Sequence, residues 1–443
     1  MRHGSALPGI DSTQDAADAG FRIAEVLASG QVYSDFQPIF DLDNGAVVAY
    51  EALARGPQGP LRRPDHLFAA ARAANRLCEL DVLCRRSAIR GAIEAGICAP
   101  LTLFVNIEPE IVDVTQLEEL LSIADSVPNP GSASRMNLVL EITERAIASR
   151  PAELLATVRR LRQAGWRIAL DDVGADDISI AFMPLLRPDI VKLDLQLVQL
   201  RPSPKIAEIM NAVNAYAERT GSVILAEGIE DEKHLATARA LGARLAQGYL
   251  FGRPQPGVTP GVTNGELALS AMRSTPAQYL SPFDCLPAAA TPRRSTKPLL
   301  IEISKHLERQ ALRLGKTCIV LSTFQEARHF GAPTARRYRA LAEQAGFVAA
   351  IGSGLAIEPA AGVRGADLDP GDPVRGEWDI VVLAPHFAAA LIAREIGPTN
   401  LPDLERTFEF VLSYDRATVE AAAQSLMTRI SPYNLPSNKV VSA

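Results

Sequence analysis

Residues 168–174 read IALDDVG, a short apolar run that ends on two adjacent aspartates. The same device recurs on either side. LFVN (103–106) ends on Asn106, LVLE (138–141) on Glu141, VKLD (191–194) on Asp194 and ILAE (224–227) on Glu227. From Asn106 to Glu227 the intervals are 35, 30, 23 and 33 residues, close to the roughly 30 residues of one strand–helix unit. Amphipathic stretches lie between the runs. In PAELLATVRRLRQAG (151–165), Leu154, Val158, Leu161 and Ala164 share one helical face and Gly165 ends it. Strands alternating with helices predict an α/β chain whose first domain is a (β/α)8 TIM-like barrel. Its strands then point one way and gather their C-terminal ends at one mouth.

Outward from this core, PQPGVTPGVTNGE and LSPFDCLPAAATPRRSTKP are too rich in Pro and Gly for a helix or strand interior. The predicted organisation is a loose tail over 1–20, a barrel over 21–256, a linker over 257–297, a smaller α/β domain over 298–432 and a tail over 433–443. A short helix is expected in the linker at GELALSAMRS (265–274). In the second domain TCIVLST, FVAAIGSG, WDIVVLA and FEFVLSY read as strands. PHFAAALIARE (385–395) reads as a helix opened by Pro385, and 362–378 as a solvent-exposed loop.

A chain of 443 residues exceeds one ordinary core. No run of about 18 apolar residues is present, and the first twenty residues lack the apolar core of a secretory signal. Five cysteines without a CxxC fit scattered thiols in a reducing compartment. The expected location is the cytoplasm, with no membrane partner. A net charge of −6 argues against a nucleic-acid polymer as partner, because that requires a basic surface.

One acid after a strand is ordinarily a helix cap. Several at one mouth repel one another unless cations neutralise them. The donors are oxygens, while His66 and His234 fall in helical stretches, so hard Mg²⁺ or Mn²⁺ is expected rather than zinc. Adjacent Asp171 and Asp172 suit two ions about 3.5–4 Å apart, which clamp a water and a leaving oxygen at phosphorus. Strand alternation puts Lys192 and Asp194 on one side. An aldolase-type Schiff base at Lys192 is disfavoured, because the surrounding acids keep the amine protonated.

These residues resemble the EAL domain of cyclic di-GMP phosphodiesterases over about 20–256. The motifs are FQPIF with Gln37, YEALAR with Glu51 and Arg55, FVNIEP with Asn106, LEITE with Glu141 and Glu144, DDVG, VKLD, AEGIE with Glu227, and QGYLFGRP with Gln247. The resemblance implies hydrolysis of cyclic di-GMP to linear pGpG with two Mg²⁺ or Mn²⁺ ions. Glu51, Asn106, Glu141 and Asp171 would hold one ion; Asp171, Asp172 and Glu227 would serve the second and its water. Lys192 would orient or activate that water, and Gln247 would complete the inner site. Arg55 would hold a substrate phosphate and Gln37 a guanine, while Glu144 would steady the loop after the paired aspartates. It also allows a homodimer. That loop departs from the family pattern: Val173 replaces an aromatic residue, and Asp176, Asp177 and Ile178 stand where Gly, Tyr and Ser are expected. Loss of glycine at 176 removes freedom for positive φ, and two further acids add negative charge. A silent cyclic di-GMP receptor or scaffold is therefore the alternative reading. The second half resembles the DICT sensory domain through FQEARHF, TARRY, RGEW, LAPHFAAAL and SYDR, which implies an input module for an unknown signal.

Overall fold

The computed structural model describes residues 12–108, 136–143, 147, 150–271, 279–397 and 402–430. Two compact units divide it, Met1–Leu140 with Phe251–Leu267 and Glu141–Leu250 with Ala268–Ala443.

Eight strands close into a barrel in chain order: β1 (Tyr33–Asp41), β2 (Val47–Arg55), β3 (Thr102–Ile107), β4 (Asn137–Ile142), β5 (Arg167–Val173), β6 (Ile190–Leu193), β7 (Val223–Ala226) and β8 (Leu245–Ala246). The pairs β2–β3, β5–β6, β6–β7 and β7–β8 are parallel. The first pair corrects the expectation of a uniform direction: β1 runs antiparallel to β2, with Gln37 opposite Glu51. The few residues between them can close a hairpin, whereas a parallel pair needs a crossover of a dozen or more.

The accompanying helices are α1 (Ser12–Ser29), α2 (Pro64–Ala73), α3 (Leu77–Glu94), α4 (Pro151–Gln163), α5 (Asp177–Leu186), α6 (Leu195–Gln199), α7 (Pro204–Thr220) and α8 (Glu232–Ala240). α1 begins inside the segment read as a tail. α4 buries Leu154, Val158 and Leu161 as its periodicity requires. Just before β6, Asp189 accepts from Arg162 (3.2 Å), Arg167 (3.0 Å) and the Ile168 amide (3.0 Å). This buried cluster ties α4 to the entrances of β5 and β6.

The C-terminal part is a separate seven-stranded sheet in the order β12–β11–β10–β13–β14–β15–β9. Its strands are β9 (Arg293–Thr296), β10 (Ile319–Glu326), β11 (Phe347–Ser353), β12 (Arg364–Ala366), β13 (Glu377–Ala384), β14 (Phe387–Ile396) and β15 (Thr407–Ser413). Helices α9 (Lys297–Leu314), α10 (Ala332–Gln344) and α11 (Arg416–Met427) complete it. One core cluster joins Leu300 and Leu307 of α9, Tyr338 and Leu341 of α10, and Val320, Val382, Leu391 and Phe408 of the sheet.

Two further expectations are corrected. PHFAAALIARE is a strand, paired from Ala384↔Phe387 through Glu377↔Arg394 with β13. Its alanines are buried on both faces, and hairpin pairing with close packing overrides their helical preference. In the linker, residues 265–271 are not helical. The Gly265 amide instead donates to Val47 of β2 at 2.8 Å, and 272–278 lie outside the described residues.

Every residue of α5 from Ser179 to Leu186 is buried. The helix is apolar all round because it is covered twice, a pattern reserved for fully enclosed helices. Phe182 meets Phe347 of β11 edge-on, with ring centroids 5.1 Å apart. A Cβ on Gly346 would lie 2.7 Å from the Ala181 Cβ, so the strand approaches the helix at its closest. Nearby, the Arg219 guanidinium of α7 donates to the Pro385 carbonyl. Among the described residues, no helix is long and apolar enough to cross a membrane.

Candidate metal centre

In the first unit, the β1–β2 hairpin sets Gln37, Glu51 and Arg55 on one face by strand alternation and register. Glu51 is 6 % exposed and accepts from Asn106 Nδ2 of β3 at 3.1 Å. Gln37 Nε2 donates to the Gly252 carbonyl at 3.1 Å. Arg55 donates through Nε to Asp35 at 2.8 Å. Asp35 was not anticipated. It lies twenty residues before Arg55, and only the hairpin register brings them together.

In the second unit, Lys192 of β6 is 1 % exposed. Its Nζ lies 2.8 Å from Glu141 of β4, 3.0 Å from Asp171 of β5 and 2.8 Å from Glu227 after β7. A buried ammonium is stable there only because carboxylates surround it. Three carboxylates thus gather around one ammonium, and Asp172 brings a fourth to the same place. Asp171, Asp172 and Glu227 each offer a carboxylate oxygen, and these atoms lie within 4.8 Å of one another. An all-oxygen set of three carboxylates fits a hard divalent cation. Asp172 adopts φ 52°, a left-handed conformation that aspartate tolerates better than most residues, and this turns it away from the strand direction of Asp171.

Gln247 follows β8 and is 4 % exposed; its backbone N–H donates to the Ala226 carbonyl at 2.9 Å. The next residue is necessarily glycine. Gly248 has φ 154°, and a Cβ there would stand 2.1 Å from the Ile229 carbonyl oxygen. Glu144 lies outside the described residues.

The unusual loop acids have structural duties. Asp176 is extended (φ −125°, ψ 144°) and caps α5 by accepting from the Ile178 amide. It therefore requires no positive φ, and the concern raised by the missing glycine does not apply. Asp177 lies 3.4 Å from Lys205 and in the first turn of α5, where negative charge is favoured. Asp194 shares the apolar-run-plus-acid pattern yet caps α6, accepting from Gln196 at 2.9 Å.

The family description "EAL domain" matches residues 21–254, and "Sensory domain in DIguanylate Cyclases and Two-component system" (DICT) matches 281–396. Among curated proteins, the chain is 30 % identical over 236 residues to the cyclic di-GMP phosphodiesterase RocR of Pseudomonas aeruginosa, covering 52 % of this chain and 59 % of that one. It is 29 % identical over 237 residues to the cyclic di-GMP phosphodiesterase NbdA of the same organism, covering 53 % and 30 %. The chain thus spans less than two thirds of either relative. Among solved structures, a manganese and cyclic di-GMP complex of BlrP1 from Klebsiella pneumoniae is 25 % identical, with a TM-score of 0.44 over 51 % of this chain and 56 % of that one. With 234 of its 443 residues (21–254) matched, the chain belongs to the EAL-domain family and carries a DICT domain after it.

Proposed function

We propose that this chain is a cytoplasmic, metal-dependent phosphodiesterase that opens cyclic di-GMP to linear pGpG, at a rate set by its C-terminal domain. The observation that carries the reading is the buried Lys192 ringed by Glu141, Asp171 and Glu227, beside a carboxylate set that fits a cation. Asp171, Asp172 and Glu227 would hold one Mg²⁺ or Mn²⁺ ion, and Glu51, Asn106 and Glu141 together with Asp171 the other. Two such ions, when bound, neutralise phosphate charge and supply a nucleophilic water for in-line displacement.

The chain's own groups do the positioning. Lys192 is held in place by three carboxylates; where a cation takes over Asp171 or Glu227, the N–H released from that carboxylate would be in position to hold a water oxygen. Glu227, in contact with Lys192, is placed to accept that water's proton. Arg55, anchored through Nε by Asp35, presents its guanidinium in one orientation to a substrate phosphate. Gln37 contacts a guanine edge, and Gln247 completes the inner site. Regulation would run through α5. Its N-terminus follows the end of β5 that bears Asp171 and Asp172, and its far side is packed on the DICT domain at Phe347.

The test is incubation of the purified chain with cyclic di-GMP and Mg²⁺ or Mn²⁺, with chromatography of the products. The expected result is pGpG, lost with chelator and in Glu51→Ala. Binding of cyclic di-GMP without cleavage would replace this reading with the receptor; absence of both would overturn each. Sedimentation of the same sample reads whether the chain is a homodimer.

A further inference from the structure

Within the DICT domain, α9, α10, β10 and β13 enclose a cavity of about 360 Å³. That is the lower end of the roughly 300–1,000 Å³ typical of small-molecule sites. Its lining combines an aromatic wall, with Trp378, Phe324 and Tyr338, and a buried cation, Lys297. Phe324 and Tyr338 hold each other edge-on at 5.4 Å. The Lys297 ammonium lies 5.6 Å from the Trp378 ring centroid, so charge and flat apolar surface adjoin.

Two groups point to an occupant. Ser304 is 8 % exposed and lines the cavity, and its hydroxyl has no hydrogen-bond partner among the described residues. Leaving a buried hydroxyl unsatisfied is unfavourable unless something bonds to it. The second is Asp403, whose side chain is 57 % exposed yet reaches from the rim to place Oδ1 2.6 Å from Lys297 Nζ. An exposed carboxylate on a nearly buried ammonium is a plug that an incoming carboxylate can replace. Arg406, itself paired with Glu395, also holds Asp403, so the displaced carboxylate keeps a cationic partner at the rim. Burial, with neighbouring Glu377, raises the Asp379 carboxyl well above the usual carboxylate range, which weakens its repulsion of an anion.

We propose that this cavity binds a small aromatic carboxylic acid, its carboxylate displacing Asp403 from Lys297 and its ring lying against Trp378. The Ser304 hydroxyl donates to the ligand. Recognition here is independent of cyclic di-GMP turnover and is measured without it.

The full chain would be titrated calorimetrically with benzoate, cinnamate and indole-3-acetate, with their primary amides, and with the matching amines. At least one acid should bind one-to-one, with its amide at least tenfold weaker. Asp403→Asn should bind that acid severalfold tighter, because Lys297 loses its internal competitor, while Ser304→Leu should abolish binding with circular dichroism unchanged. An amide or amine equal to the acid, an Asp403→Asn variant that binds no tighter, or no acid binding up to millimolar concentration would each overturn the proposal.

Discussion

Lys192 holds together three carboxylates that would otherwise oppose one another. Lys192→Met is therefore expected to lower stability in chelator by roughly 3–5 kcal/mol, the usual result of removing one partner from a buried charge cluster. Divalent cations should recover part of the loss. Thermal unfolding with and without Mg²⁺ reads this, and an unchanged midpoint in chelator would count against the cluster. Asp176→Ala should cost about 1 kcal/mol through loss of the α5 cap while cyclic di-GMP affinity stays within about twofold. A tenfold loss of affinity would return Asp176 to the site. Much of this was legible: Glu141, Asp171 and Glu227 each follow an apolar run, and Lys192 sits at the alternation position that faces them. Asp194 was not separable from them, because a helix cap and a metal ligand share the same local pattern. Asp35 and Asp189 were not legible at all, since their partners Arg55, Arg162 and Arg167 become neighbours only through strand register and helix packing.

Among elements, β13 carries a titrating group at its start. Glu377 is 3 % exposed, and burial pushes its carboxyl up to about 6. Unfolded glutamate titrates near 4.3, so between about pH 4.3 and 6 the folded chain binds the extra proton. The stability that Glu377 contributes is thus greatest below that window and falls as pH rises through it, by on the order of 2 kcal/mol. Glu377→Gln should flatten this slope in urea midpoints measured from pH 4 to 7; an identical slope would show that the group titrates normally. β14 is the element that the residues disguised. An alanine-rich segment opened by proline satisfies helical preferences, and only pairing with β13 and cover on both faces make it a strand. The β1–β2 hairpin was likewise hidden, because apolar runs carry length and burial but no direction.

For the whole molecule, the linker composition separates two domains in the chain, and the sequence match to two families follows that seam. Packing does not. The second half of the barrel and the DICT sheet form one compact unit, with α5 buried throughout. A chain lacking residues 290–443 should expose Phe182 and its neighbours, giving increased dye binding of the molten-surface type and concentration-dependent association. A monodisperse, dye-silent truncation would contradict the shared core.

The enclosure of α5 also limits how such proteins can be recombined. A different input module grafted at the linker would inherit a helix shaped for Phe347 and Gly346 and would meet it with the wrong relief. Transplants that also redesign the outer surface of residues 179–186 should express, whereas those cut only at the proline-rich seam should not.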